Sequence, residues 1–395
     1  MQTLSNNELN ESIIDWPVNM RRAIELACNV ITATPNPRVG CVMVKDGIIV
    51  GEGWHAAAGE DHAEVMALNN AGEQARGATA FVSLEPCSHR GRTGPCAEAL
   101  REAGVAKVVI AGIDPDPKVS GKGVVALEGA LIPVFHLVDF EGAAKAINPG
   151  YIKRQQLGLP YVCCKLAMSL DGRTALANGD SKWITSAAAR ADVQKQRARS
   201  CAIVTGIGTV LADDPSLNVR PKELDLDAVS RAHNKLSLAR QPLRVVLDSH
   251  LRTPAAARII AADGAAIIYT LKGEYKDQTF PDNVEVVKAE KLAASVNLRS
   301  VLESLASKFA CNEVLVEAGS TLSSAFIRAG LVDELLVYIA PRLLGSDAKP
   351  LFELTGLQSL ADSIDFEVKD LGKVGTDIRV TLVPVCPADD QSEVP

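Results

Sequence analysis

One triplet and two cysteines constrain this chain more than anything else in it: His62-Ala63-Glu64, then Pro86-Cys87, then Cys96. One neutral imidazole and two thiolates make a three-ligand set for a zinc ion, which leaves the fourth tetrahedral position open for water. Two sulfurs balance the charge of the metal yet leave it acidic enough to lower the pKa of that water. Glu64, two residues after His62 at an expected helix start, can flank the metal without binding it and carry a proton from water to departing ammonia. Cys96 follows Pro95, a residue favoured at helix starts, so its thiolate is expected near the positive end of a helix dipole.

The arrangement is close to the His-x-Glu and Pro-Cys-x-x-Cys signature of zinc nucleobase deaminases. Eight residues separate the two cysteines here instead of two, which implies a longer loop and a different substrate. A structural zinc would close its site with a fourth protein ligand. His89, Cys41 or His55 would have to supply it, and Glu64 would then have no explanation. The other cysteines, Cys28, Cys41, Cys163, Cys164, Cys201, Cys311 and Cys386, are expected to be buried apolar side chains.

Around these residues, apolar positions Ala23, Ile24, Ala27, Val30 and Ile31 recur at helical spacing and predict a helix from Met20 to Ala33, ended by Pro35 and Pro37. Cys41–Val44 and Ile48–Val50 predict a hairpin across an Asp46-Gly47 turn. A helix over 62–70, a strand over 80–84, a helix over 96–103 closed by Gly104, and a strand over 107–111 follow. The first 14 residues are expected to be a loose extension. A Pro- and Gly-containing stretch at 148–160 marks a boundary, and strands resume at Tyr161–Met168, near Val204, and at 244–247, 266–269, 313–316 and 334–339. A polar stretch at 221–236 predicts a surface loop or helical insertion. The 395 residues exceed the roughly 250–300 at which one core stops growing. Two α/β domains are therefore expected, at 15–150 and 160–385.

A net charge of −7 argues against a nucleic-acid partner, which needs a basic surface. No apolar run of 18 residues is present to span a membrane, and Met1–Asp15 lacks the pattern of a signal peptide. Scattered cysteines, odd in number at nine, predict no disulfide framework, so the expected compartment is the reducing cytoplasm.

With His62-Ala63-Glu64 and the run from Pro86 to Cys96 (PCSHRGRTGPC), the chain resembles the bifunctional deaminase/reductase family of riboflavin biosynthesis. The resemblance continues in Pro35–Gly40 (PNPRVG), Lys165–Arg173 (KLAMSLDGR), Gly206–Pro215 (GIGTVLADDP) and Glu317–Leu322 (EAGSTL), in family order and over nearly the whole chain. Gly94 departs from the proline of many members and should alter loop stiffness alone. The resemblance implies a cytidine-deaminase-like three-layer domain followed by a dihydrofolate-reductase-like domain. It implies a small phosphorylated pyrimidine as substrate, Zn²⁺ and NADPH as cofactors, and deamination followed by reduction of a ribosyl group to ribityl. A homo-oligomer is expected.

By the same resemblance, Asn36, His55, His89 and Arg92 would meet the pyrimidine or its phosphate, although Asn36 also suits a plain turn and Arg92 an exposed solubilising position. NADPH would contact Ala167, Trp183, Thr209, Asp213 and the run Gly319, Ser320, Thr321, Leu322, Ser323, Ser324 and Ala325. Substrate would contact Ser181, Arg197, Leu217, Arg220 and Glu317. Lys165 and Asp213 are candidates to polarise or protonate the sugar, with a structural ion pair as the alternative for Lys165. The residues alone support the second site more weakly. Gly206-Ile207-Gly208 has Leu211 where a third glycine would complete a dinucleotide fingerprint. Strand 314–316 running through Gly319 into a helix is a phosphate-compatible junction. A nucleic-acid-editing deaminase, and a deaminase with a non-catalytic C-terminal half, are the competing readings.

Overall fold

The computed structural model describes residues 1–4, 15–90, 94–273 and 279–385. The chain folds into two compact units, one of residues 1–159 with 226–240 and one of residues 160–225 with 241 onward. Residues 226–240, read in the sequence with the second half, thus pack in the first unit.

The first unit runs β1 (Gln2–Leu4), α1 (Trp16–Ala27), β2 (Gly40–Lys45), β3 (Ile48–Trp54), α2 (Ala63–Ala71), β4 (Thr79–Val82), α3 (Cys96–Ala103), β5 (Lys107–Ile110), α4 (Lys122–Gly129), β6 (Val134–Leu137), α5 (Glu141–Ala146) and α6 (Pro149–Leu157). Its sheet has the order β1-β6-β5-β4-β2-β3. β2 is antiparallel to both neighbours and the other pairs are parallel. Alternate residues of each strand serve opposite faces. Val42, Val44 and Phe81 pack against Trp16, Met20, Ala23 and Leu26 of α1. Cys41, Met43, Ala80 and Val82 pack against Ala63 and Ala67 of α2 and Leu100 of α3. Helices on both faces of one sheet make the three layers that the family resemblance implies.

Two expectations are corrected here. Residues 2–4 are not loose: they form an edge strand parallel to β6, with Gln2 opposite Phe135 and Leu4 opposite Leu137. Residues 5–14 lie outside the described residues. α1 starts at Trp16, where the Asp15 carboxylate accepts from the Val18 amide at 3.0 Å and Pro17 occupies the first turn. It ends at Ala27, well short of the prolines, because backbone groups at 29, 31 and 32 bond to side chains of the returning segment 226–240. Cys28 consequently sits at the helix end and is exposed, unlike Cys41, Cys164, Cys201 and Cys311, which are buried; Cys163 is half-buried and Cys386 lies outside the described residues. The hairpin is as expected, with Asp46 and Gly47 both at positive φ, 50° and 79°.

The second unit, with the returning helices in chain order, runs β7 (Tyr161–Ser169), β8 (Arg173–Ala175), α7 (Ala187–Arg199), β9 (Ala202–Gly206), α8 (Ile207–Asp213), α9 (Ala228–His233), α10 (Lys235–Ala239), β10 (Leu243–Leu247), α11 (Arg258–Ala261), β11 (Ala266–Thr270) and β12 (Val284–Lys288). It continues through β13 (Lys291–Leu292), β14 (Ser295–Val296), α12 (Leu298–Lys308), β15 (Glu313–Val316), α13 (Ser320–Arg328), β16 (Glu334–Ala340), β17 (Lys349–Pro350), β18 (Phe366–Val374) and β19 (Asp377–Pro384). The main sheet has the order β12-β11-β10-β9-β15-β7-β16-β19-β18. It is parallel through β16 and antiparallel at its last two strands. Ile203, Val246, Ile268 and Leu315 pack together on one face; Leu336 and Tyr338, on the same face through their register with Lys165 and Ala167, pack against Ala189 and Val193 of α7.

Candidate metal centre and cofactor cavity

In the first unit, two helix starts and one loop converge. His62 is the extended residue capping α2, and Cys96 is the first residue of α3 after the extended Pro95. Cys87 lies in the loop after β4, its carbonyl accepting from the Ala97 amide at 3.0 Å. Close packing fixes α2: a Cβ at Gly53 of β3 would come within 2.3 Å of the Ala63 carbonyl oxygen, so only glycine lets the helix approach this far. The loop is tied from behind by Glu85, whose carboxylate accepts from the amides of Gly121, Gly123 and Val124 at the start of α4 and from Asp114.

The donor atoms of His62, Cys87 and Cys96 all lie within 4.8 Å of one another. His62 Nδ1 is 3.6 Å from Cys87 Sγ and 3.2 Å from Cys96 Sγ. Zinc–sulfur bonds of about 2.3 Å and zinc–nitrogen bonds of about 2.0 Å at tetrahedral angles require N···S separations of about 3.5 Å, so the set fits zinc. Among the described residues no fourth His, Cys, Asp or Glu joins the group. Cys41 is buried elsewhere in the core, His89 is exposed, and His55 is occupied otherwise. The Cys87 thiol is held low, at about 4, chiefly by hydrogen bonding from Cys96 and also from His62.

Glu64 is 3 % exposed beside this set, with burial, reinforced by the Cys87 charge, pushing its carboxyl up to about 7. His55, 2 % exposed, has Nδ1 at 3.0 Å from the Asp61 carbonyl and Nε2 at 3.0 Å from Asn36 Nδ2. A carbonyl can only accept, so Nδ1 carries the proton and Nε2 accepts from Asn36; burial, which lowers the His55 pKa, keeps the ring neutral. The His55 and His62 rings meet edge to face at 5.0 Å. Asn36, His55, His62, Glu64, Cys87 and Cys96 are therefore brought together. Arg92 lies outside the described residues.

The second unit contains a cavity of about 1580 Å³. It opens where ligands gather in parallel α/β sheets, at the carboxyl ends of the strands. β15 ends at Val316 opposite Cys164, so Lys165 and Ala167 of β7 run past it into the open. Both line the cavity, as do Ser181, Trp183, Thr209 and Asp213. Arg197, Arg220, Glu317 and the helix start from Gly319 to Leu322, with Ala325, complete the expected residues found there. Arg197 and Glu317 form a bidentate pair at 2.6 and 2.9 Å, 13 % and 11 % exposed. Burial alone would raise the Glu317 pKa, but the guanidinium holds it below the usual carboxylate range. Lys165 has its ammonium 5.8 Å from the Tyr338 ring; burial lowers its pKa against the opposing field of Glu317. Asp213 closes α8 on the exposed side, and among the described residues no ion pair joins it to Lys165.

Three expected contacts are turned away from the cavity. Leu217 is 4 % exposed in the core with Ile203 and Leu315. Ser323 donates to the Ala318 carbonyl and Ser324 accepts from the Glu353 amide, both hydroxyls facing inward from α13. Ser320 and Thr321 instead donate to the Glu353 carboxylate at 2.6 and 2.9 Å. Sequence reasoning missed His250, Arg252 and Arg299, which line the cavity near the carboxyl end of β10; the charges were visible, but nothing local marks which strand end they border.

Comparison with known proteins agrees with both sites. Residues 18–112 match the family described as "Cytidine and deoxycytidylate deaminase zinc-binding region", and residues 160–380 match "RibD C-terminal domain". The riboflavin biosynthesis protein RibD of Escherichia coli K12 is 48% identical over 365 residues, 92% of this chain and 98% of that protein. The Haemophilus influenzae RibD is 47% identical, over 93% and 97% of the two chains. The Acinetobacter baumannii RibD structure superposes with a TM-score of 0.84 at 43% identity, covering 95% of this chain and all 100% of that one. The relative named diaminohydroxyphosphoribosylaminopyrimidine deaminase/5-amino-6-(5-phosphoribosylamino)uracil reductase, from Thermotoga maritima, does so with a TM-score of 0.79 at 32% identity over 94% and 99%. With a zinc-fitting donor set in one unit and a cofactor-sized cavity in the other, the chain belongs to the RibD family of riboflavin biosynthesis, a zinc-dependent deaminase and an NADPH-dependent reductase in one polypeptide.

Proposed function

We propose that the first unit deaminates a diaminohydroxyphosphoribosylaminopyrimidine and that the second reduces the ribosyl group of the resulting uracil to ribityl, as the name of the Thermotoga relative describes for that protein. The observation that carries this reading is the three-donor set of His62, Cys87 and Cys96 beside the buried Glu64 carboxylate. Those three residues would hold zinc, whose Lewis acidity activates the attacking water. Glu64 accepts a proton from the water and returns one to the departing nitrogen, so a C–NH₂ and water become a C=O and ammonia. Asn36, its Nδ2 committed to His55, presents its carbonyl oxygen to the pyrimidine, and His55 fixes that orientation. His89 and Arg92 are assigned to the phosphate.

In the second unit, NADPH would supply the hydride when bound. Gly319 and the amides starting α13 suit its pyrophosphate, and Ala167, Trp183, Thr209, Ala325 and Leu322 flank it. Arg252 and Arg299 add positive charge, and His250 a ring nitrogen, for its remaining phosphate. Ser181, Arg197, Arg220 and Glu317 are assigned to the substrate, with Lys165 and Asp213 polarising or protonating the opened sugar. Leu217, Ser323 and Ser324 act through packing. A reducing, cytoplasmic setting and a homo-oligomer belong to the same reading.

Zinc analysis together with release of ammonia from the pyrimidine substrate tests the first assignment; a zinc-loaded protein that releases none would overturn it. Absorbance of NADPH, followed with the deaminated intermediate supplied directly, tests the second. Unchanged absorbance would leave the C-terminal half non-catalytic.

A further inference from the structure

The excursion at 226–240 does more than fill surface. Asn234, 3 % exposed between α9 and α10, accepts from the Ile31 amide through Oδ1 at 2.6 Å. Its Nδ2 donates to the Asn29 carbonyl at 3.0 Å and to the Ser230 carbonyl at 2.8 Å. Ser237, 5 % exposed, donates to the Thr32 carbonyl at 2.8 Å. The His233 ring lies 4.6 Å from that of Trp54. These contacts fall on two stretches. Residues 29–32 lead directly into Asn36, and Trp54 precedes His55, so the excursion grips both strands of chain that carry the Asn36–His55 hydrogen bond.

The geometry points to α9–α10 as the positioning element of the deaminase's pyrimidine-recognition pair, with Asn234 its principal positioning residue. This rests on the reading that Asn36 and His55 meet the pyrimidine. Asn234 bonds the Ile31 amide and the Asn29 carbonyl just past the end of α1, and so fixes the turn and bends at 29–32 ahead of Pro35. Without it, a half-buried amide and a half-buried carbonyl lose these partners. The loop then samples other conformations, and substrate binding must first select the competent one. Glu64 and the three zinc donors sit on α2, at its cap, on α3 and in the loop after β4, away from residues 29–32 and Trp54, so the chemical step should be spared.

The experiment is steady-state deamination by the full chain carrying Asn234→Ala, with zinc content and NADPH-dependent reduction measured on the same preparation. The expected result is a KM raised by about 5–30-fold, the equivalent of one or two kcal/mol, with kcat within a factor of about two and with zinc and reduction unchanged. An unchanged KM in a folded, zinc-loaded protein overturns the proposal, as does loss of zinc in parallel with activity, which would make Asn234 a general structural residue. Should Asn234→Ala not fold, Ser237→Ala decides: a smaller KM rise that Ser237→Thr reverses supports the brace, and no rise overturns it. Asn36→Ala run alongside separates the two claims. If Asn36→Ala leaves KM unaltered, the recognition pair itself is misassigned; if it raises KM while Asn234→Ala does not, only the brace fails.

Discussion

Two carboxylates buried to similar depth behave in opposite ways in the two units. Glu64 in the first rises to about 7, because burial and the Cys87 charge outweigh the opposing field of His62. Glu317 in the second is gripped by Arg197 on both oxygens and is held below the ordinary range. Depth of burial therefore does not set the charge state; the partner does. A proton carrier needs a carboxylate whose two forms are close in energy, and an anchoring group needs one locked as an anion. The first unit repeats its pattern at Asp114, raised to about 6 by burial although Tyr151 donates to it at 2.8 Å.

The strongest way to break this contrast is at the donor set. Cys87→Ser should abolish zinc binding and reduce deamination to background, while NADPH-dependent reduction continues, because ligand loss couples to folding of the first unit alone; metal analysis and the two assays check it, and full zinc occupancy would refute the ligand assignment. Next comes Glu64→Gln, expected to keep zinc and lower kcat for deamination by about 10²–10⁴-fold, the usual contribution of a positioned proton carrier. Near-normal turnover in that variant would sink the assignment. Glu317→Gln strands the Arg197 guanidinium, which also donates to the Asn218 carbonyl at 3.3 Å. It should destabilise the protein by roughly 3 kcal/mol in denaturant unfolding and impair reduction, whereas deamination should survive.

The smallest effect concerns pH and has a definite sign. Asp114 titrates at about 6 when folded against 3.8 ordinarily, so the native state holds its proton longer than the unfolded chain does. Its contribution to stability is full below about pH 4 and is lost as the pH rises toward 6, by up to about 2–3 kcal/mol. Glu317 acts the other way, its contribution present above the ordinary carboxylate range and lost on acidification. Unfolding free energies of wild type and Asp114→Asn at pH 4, 5, 6 and 7 should converge or diverge accordingly, the variant gaining on wild type as pH rises. A constant difference would show that Asp114 is not perturbed.

Much of the first unit was legible because its signals are local. The Asp46-Gly47 turn, the boundaries of α3 and the spacing of His62, Cys87 and Cys96 all depend on near neighbours in sequence. What was not legible depends on distant partners. β1 is three residues long, too short for any periodicity, and exists because β6 offers it a free edge. α1 stops early because Asn234, more than 200 positions away, captures its would-be continuation. In the cavity, the strand–glycine–helix junction was readable, but which serines of α13 face inward is a matter of helix rotation that no motif states.

The detour of residues 226–240 also bears on how such a gene could be divided. Splitting the coding sequence near codon 160, the obvious joint between the activities, would leave the first fragment without α9 and α10 and hand the second a pair of helices with apolar and amide side chains and nowhere to dock them. Fission or domain shuffling that preserved both enzymes would have to excise that stretch or transplant it, so the polypeptide is fused more deeply than a linker between two modules.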